Sequence, residues 1–326
     1  MAKEIRVGYI GAGGIARSHA EGLARIEGAP MVGVTDVHAP AAEELAAKHG
    51  AKAYASAAEL IKDCAPDALF IFTPPFARGE AERAALAARV PFFIEKPLAL
   101  DKGLMAEISA EAQKLNLITS TGYMTRYRKS VARAREIVKE DPAILGYGGW
   151  WGGSPGNHPW WTDMSKSGGQ FHEQATHTVD LARYLFGEAV EVYAAAARGF
   201  NKGIPNYTMD DAITVAIKFA GGGIANLMSS CSSNAGGGII LDISCLNHNI
   251  KFKDWDHHVT IENRDGTSEG IRGERNIFEV EDRVFIDAVR TGDRSGIKSD
   301  YTDGMKSALL SLAANESAKS GKPVAL

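Results

Sequence analysis

The sequence predicts an α/β protein: an N-terminal doubly wound parallel sheet, followed by an α+β half with a largely antiparallel open sheet. Three observations carry that expectation. Up to about residue 122, short apolar, β-rich runs alternate with Ala/Glu/Lys/Arg-rich stretches of helical length. The runs are nearly continuous in apolar residues, as strands covered on both faces should be. After Tyr123 the pattern changes to helices and then to several strands joined by glycine-rich turns. At 326 residues the chain exceeds what one core usually serves, so two domains are expected, 1–122 and 123–326.

In chain order, strands are expected at 5–10, 31–35, 68–72, 91–94 and 117–121, with helices at 15–26, 41–49, 78–89 and 102–115 between them. Ser56 and Glu59 form a capping box that opens a further short helix. A helix at 130–140 ends at Asp141-Pro142, because proline forbids its continuation. A helix from about Gln174 to Phe186 stops at Gly187. Residues 190–263 read as strands, among them a hairpin of 213–219 and 224–230 around Gly221-Gly222-Gly223. Helices return at 280–290 and 303–320, and the last is expected to pack back on the first domain.

Apolar residues make up 45% of the chain, enough to offset the ordering entropy, so disorder is excluded as its main state. The net charge of -4 argues against nucleic acid or an acidic membrane surface as partner. No apolar run approaches the roughly 20 residues that span a bilayer. Residues 1–14 enter a strand pattern without a signal-peptide core. Cys64, Cys231 and Cys245 are few and lack metal-ligand spacing, which points to a reducing compartment and a cytoplasmic location.

The first strand runs into Gly11-Ala12-Gly13-Gly14-Ile15-Ala16, a G-x-G-x-x-A pattern between a predicted strand and a predicted helix. Gly11 allows the tight turn, Gly13 lets the backbone approach a pyrophosphate, and Ala16 lets the helix pack close to the sheet. Backbone N–H groups from Gly13, Gly14 and Ile15 and the helix dipole then face the phosphates. Asp36 closes the second strand, where its carboxylate would accept hydrogen bonds from the ribose hydroxyls and repel a 2′-phosphate. The expected cofactor is therefore NAD, with NADP disfavoured. A structural turn with a helix-capping Asp is the plainer alternative. Thr73-Pro74-Pro75 ends the third strand at the carboxyl edge, where ligands bind in open α/β sheets.

The fourth strand delivers Glu95-Lys96-Pro97 to the same edge. With the dinucleotide turn, this resembles the glucose–fructose oxidoreductase / inositol dehydrogenase / MocA family, and the resemblance covers almost the whole chain. Further matching segments are Thr73-Pro74-Pro75, Gly122-Tyr123-Met124-Thr125-Arg126-Tyr127, Gly168-Gly169 through Asp180, Asp303-Gly304 and residues 313–321. The resemblance implies an NAD-dependent oxidoreductase that moves hydride between nicotinamide and a secondary alcohol or ketone of a sugar, cyclitol or derivative. It implies Lys96 as the catalytic lysine near the nicotinamide, with Glu95 beside it, and aligns the family's histidine with His177. Glu173 stands where the family has Asp, Ala175 where it has glycine, and Arg78 where histidine is frequent. The resemblance also implies Tyr123 and Arg126 near the substrate, against a surface ion pair for Arg126, and self-association as a homodimer or homotetramer.

The spacing of Glu173 and His177 adds an argument of its own. Four residues apart on one helix, they would lie about 40° apart on one face, with Asp180 on the same stripe. A carboxylate beside an imidazole orients it as a general base. A solvated surface pair is the plainer alternative. His172 and His177 are five apart, so a zinc site of the H-E-x-x-H kind is not expected, and no metal is. Trp160 and Trp161, near His158 and Asp163, offer aromatic faces for a sugar or cyclitol ring, while Trp150 and Trp151 read as core. Two other functions remain open: a glycosidase using NAD for transient oxidation and elimination, and a non-catalytic nucleotide sensor.

Overall fold

The computed structural model describes residues 3–153 and 159–326. The first strands and helices are β1 (Val7–Ile10), α1 (Gly14–Leu23), β2 (Met31–Thr35), α2 (Ala39–His49), β3 (Lys52–Tyr54), α3 (Ala57–Cys64), β4 (Ala68–Ile71), α4 (Glu80–Ala88), β5 (Phe92–Ile94), α5 (Lys102–Lys114) and β6 (Thr119–Thr121). There follow α6 (Lys129–Glu140), β7 (Leu145–Trp151), α7 (Met164–Ser167), α8 (Gly169–Glu173), α9 (Thr176–Phe186), β8 (Ala189–Ala197), β9 (Ala212–Phe219) and β10 (Ile224–Ser230). The chain closes with β11 (Gly238–Ser244), β12 (His248–Lys253), β13 (His258–Asn263), β14 (Ser268–Ile271), α10 (Ile277–Thr291), α11 (Tyr301–Ser320) and β15 (Val324–Ala325).

Contacts divide the chain into two units, one of residues 1–124 and 276–305, the other of 125–275 and 306–326. The first contains a six-stranded sheet in the order β3-β2-β1-β4-β5-β6, parallel throughout. Its central strands β1 and β4 are buried at every position, which explains their unbroken apolar sequence. The order reverses direction between β1 and β4, the place where open α/β sheets bind ligands at their carboxyl edge. Strand β3 escapes the sequence reading: it has three residues, none fully buried, so it lacks the apolar run that marks its neighbours. Ser56 caps α3 as expected, accepting the N–H of Glu59 at 3.2 Å.

Residues 276–305 belong with this unit, although the sequence pattern assigned 280–290 to the second half. The reason is apolar packing. Phe285, Ile286 and Ala288 of α10 join Ala16, Ala20 and Leu23 of α1 in one buried cluster. An amphipathic pattern shows that a helix has a core-facing side but not which core receives it. Only the start of α11 belongs here, and its remainder lies with the second unit.

The second unit carries a nine-stranded sheet in the order β14-β13-β12-β11-β7-β10-β9-β8-β15. Its pairs are antiparallel except β7 with β10. The hairpin of β9 and β10 forms as read, with Phe219 N–H on the carbonyl of Gly223 at 3.0 Å. Strict alternation of buried and exposed residues along β9 and β10 marks one covered face and one open face. Val179, Leu181 and Leu185 of α9 pack on the covered face with Val215, Leu227 and Leu241. Among the described residues no helix is long and apolar enough to cross a membrane.

Candidate functional site

The glycine turn takes the form its sequence requires. Gly11 sits at φ +103°, where a Cβ would also press 3.0 Å against Phe72. Gly13 is the N-cap of α1 and brings no side-chain cap, while a Cβ at Gly13 or Gly14 would meet nothing within 4 Å. The first turn of α1 therefore presents backbone N–H groups and its positive dipole end to an open surface. Asp36 lies just past β2. Its Oδ2 accepts the N–H of Ala12 at 2.7 Å and its Oδ1 the N–H of His38 at 2.8 Å. One carboxylate thus ties the turn to the second strand. These residues fit a dinucleotide.

Two strands along, β5 ends at Ile94 and leads into Glu95, Lys96 and a cis Lys96–Pro97 bond. Glu95 is buried and Lys96 half-buried. Glu95 accepts the N–H of Lys96 on Oε2 at 2.9 Å, and Oε1 lies 3.1 Å from His19 Nε2. Gly122 follows β6 because a Cβ there would come within 2.8 Å of that carboxylate. His19 Nδ1 lies 2.7 Å from Asp282 Oδ1 of α10. Burial alone would push the His19 imidazole down, but the Asp282 and Glu95 carboxylates outweigh it and hold it up at about 10. The buried ring is surrounded by Phe72, Phe93 and Phe278 with centroids 4.8–5.2 Å away. His19, Glu95 and Glu281 place ligand-type atoms within 4.8 Å of one another. Both His19 nitrogens already face carboxylates, so this cluster reads as an ion-pair network.

Thr73 and Pro74 follow β4 on the same edge, and Arg78 is hydrogen-bonded to it. Its buried guanidinium donates to Thr73 Oγ1 at 3.3 Å, to the Pro97 carbonyl at 3.2 Å and to the Glu95 carbonyl. Tyr123, after β6, is fully buried.

In the second unit, His177 lies in the first turn of α9 and is 4% exposed. Its ring sits 6.0 Å from that of Trp150 and 6.2 Å from that of Trp255, and the two indoles meet edge-on at 5.6 Å. Trp150 packs against the core of this unit, as read from sequence, and is also one wall of the histidine's surroundings; Trp255 was missed because it lies in the turn between β12 and β13. Arg128, also missed, holds that turn by donating to the Trp255 carbonyl at 2.9 Å.

The helix expected from about Gln174 to Phe186 forms as α9, but Glu173 lies outside it. Glu173 ends α8, and His177 is the second residue of α9. Between them Ala175 N–H reaches back five residues to the carbonyl of Gln170 at 3.0 Å, a wide turn that breaks the regular ladder. The 40° separation read from spacing therefore does not apply to Glu173 and His177. His172 points elsewhere in this unit, with Nδ1 2.7 Å from Ser311 Oγ.

Arg126 and Asp180 form a buried bidentate pair, Nε to Oδ2 at 2.8 Å and Nη2 to Oδ1 at 2.6 Å, with Arg126 stacked on Tyr184. Asp163 caps α7, accepting the Ser165 N–H at 2.9 Å. Hydrogen bonds from Ser165 hold its carboxyl below the usual range. Trp160 and Trp161 stack on each other at 5.9 Å. His158 lies outside the described residues.

Comparison with known proteins follows the same division. Residues 5–123 match the oxidoreductase family with an NAD-binding Rossmann fold, and residues 144–250 match the GFO/IDH/MocA C-terminal domain. The chain is 27% identical over 339 residues to the myo-inositol 2-dehydrogenase of Thermotoga maritima, spanning 99% of this chain and 98% of that one. It is 26% identical over 338 residues to the scyllo-inositol 2-dehydrogenase (NAD(+)) of Bacillus subtilis, spanning 100% and 97%. Levoglucosan dehydrogenase in complex with NADH superposes with a TM-score of 0.88 at 20% identity over 99% of both chains, a likeness of fold. The turn, the two sheets and both family models agree: the chain is an NAD-binding oxidoreductase and belongs to the Gfo/Idh/MocA family.

Proposed function

We propose that the protein oxidises a secondary alcohol of a cyclitol or sugar to the ketone, or runs the reverse reaction. The observation that carries this reading is the carboxyl edge of the first sheet, where Asp36, the glycine turn and the anchored Glu95-Lys96-Pro97 segment follow strands β2, β1 and β5. The inositol dehydrogenases named above support the substrate class. NAD, when bound, supplies the hydride acceptor. Lys96 provides a cation at the reacting oxygen and stabilises its alkoxide character. His177, walled by Trp150 and Trp255, takes the hydroxyl proton as general base. Trp160 and Trp161 offer stacked indoles to a ring substrate. The open face of the second sheet exposes Leu145, Tyr147, Tyr193, Ile224 and Met228, and a second copy of the chain is its proposed cover.

The test is a panel of inositols, sugars and glycosides incubated with NAD, following NADH absorbance and released aglycone together. Stoichiometric NADH with a cyclitol or sugar is the expected result. Aglycone release without net NADH would replace the reading with elimination chemistry. Bound cofactor with neither product would leave a sensor. Lys96→Ala should cut turnover by a factor of about 100 or more with little change in NADH affinity; wild-type turnover in that variant removes Lys96 from the chemistry.

A further inference from the structure

A lysine amine on four rotatable carbons is only as well placed as its backbone. The first unit grips that backbone from two sides. On one side the Lys96 N–H is held by Glu95 Oε2 at 2.9 Å. Glu95 is in turn held by His19 at 3.1 Å, and His19 by Asp282 at 2.7 Å. On the other side Arg78 donates to the carbonyls of Glu95 and Pro97, the residues flanking Lys96, and to Ile71 and Thr73 at the end of β4. His19, Arg78, Glu95 and Asp282 are all buried. Two buried polar side chains, His19 and Arg78, both directed at one three-residue segment, are costly to build for backbone satisfaction alone.

We propose that His19 and Arg78 are positioning residues for Lys96, a two-sided clamp that sets where its amine stands. The inference rests on the reading that Lys96 works at the reacting oxygen. His19 acts through the Glu95 carboxylate on the lysine's N–H. Arg78 acts on the two flanking carbonyls and fixes them to the strand beside. Displacement of a catalytic group by about 1 Å can cost on the order of 100-fold in rate, so loosening either side should lower kcat without removing a substrate contact.

The experiment compares full-length wild type with His19→Gln, Arg78→Met, Arg78→Lys and Lys96→Ala. NADH affinity is read by fluorescence, turnover with NAD and myo-inositol, and amide hydrogen exchange at Lys96 by NMR. Arg78→Met and His19→Gln should each lower kcat by about 10- to 100-fold, with KM and NADH affinity changed by less than a few-fold. The Lys96 amide should exchange faster in both while amides of β1 keep their protection, and Arg78→Lys should recover part of both losses. Unchanged Lys96 exchange in Arg78→Met and His19→Gln overturns the clamp whatever the turnover. Wild-type kcat in those variants, with Lys96→Ala inactive, overturns it too. Wild-type kcat in Lys96→Ala instead sinks the catalytic reading of Lys96, and the exchange data then show a clamp on a residue with no catalytic task. A divalent metal retained by wild type and lost in His19→Gln would replace the paired imidazole with a metal centre and overturn the His19 half.

Discussion

Arg126→Met removes one partner of the Arg126–Asp180 pair and leaves the other in place. The two side chains are 2% and 0% exposed, so water cannot take over the role of the missing guanidinium. Asp180 would keep the Ser307 hydroxyl, at 2.6 Å, as a donor. Stranding one charge of a buried pair costs about 3–5 kcal/mol. Loss of the guanidinium stacked 4.7 Å over Tyr184 adds about 0.5–2 kcal/mol. All five tryptophans, at 150, 151, 160, 161 and 255, belong to the second unit, so tryptophan fluorescence in urea reports that unit alone. With a urea slope of about 2 kcal/mol per molar, the midpoint should fall by about 2–3.5 M. The double variant Arg126→Met/Asp180→Leu should lose clearly less than the sum of the single changes, because no charge is left unpaired. A midpoint shift under about 0.5 M, or strictly additive losses, would refute the argument. It would return Arg126 to a role toward substrate alone, in which case KM would rise with stability untouched.

Two further perturbations address the first unit. Asp36→Ser keeps one acceptor for the turn but removes the charge, so discrimination against NADP should relax, measured as the ratio of kcat/KM for the two cofactors. A wild-type protein that already prefers NADP would sink the Asp36 argument. The second concerns pH. His19 titrates at about 10 in the folded chain against an ordinary 6.5, a difference equivalent to about 5 kcal/mol. A raised value stabilises fully below about pH 6.5 and loses that contribution as pH climbs toward 10. Urea midpoints of wild type, read by far-UV circular dichroism because the first unit holds no tryptophan, should therefore fall between pH 7 and 10, and those of His19→Leu should fall less; equal slopes would remove the raised His19 imidazole.

What was legible in the sequence is what local physics dictates. A glycine turn between strand and helix, an acid closing the second strand, and prolines ending strands at one edge need only neighbours in the chain to be recognised. The hairpin at Gly221-Gly222-Gly223 is equally local. The illegible parts depend on partners far apart in sequence. His19 meets Asp282 across 263 residues and Arg126 meets Asp180 across 54. A signal for His19 existed: on a helix whose buried face is Ala16, Ala20 and Leu23, a buried-face histidine demands a polar partner inside the core. Nothing in the sequence names Asp282 as that partner, because α10 reads as a helix of the second half until its apolar side is seen against α1.

Glu173 and His177 show a different limit. Counting residues along a helix axis assumes that every N–H bonds four residues back. One N–H that reaches five back, from Ala175 to Gln170, ends one helix and starts another. The same two residues can then keep their chemistry while losing the face they were expected to share. The identity of the imidazole survives that break, since Trp150 and Trp255 wall it in irrespective of Glu173. So the role proposed for His177 rests on its aromatic surroundings and on its burial, and Glu173→Gln is the milder change of the two: it should leave His177 in place, whereas His177→Ala removes the only group of the second unit proposed to carry the proton.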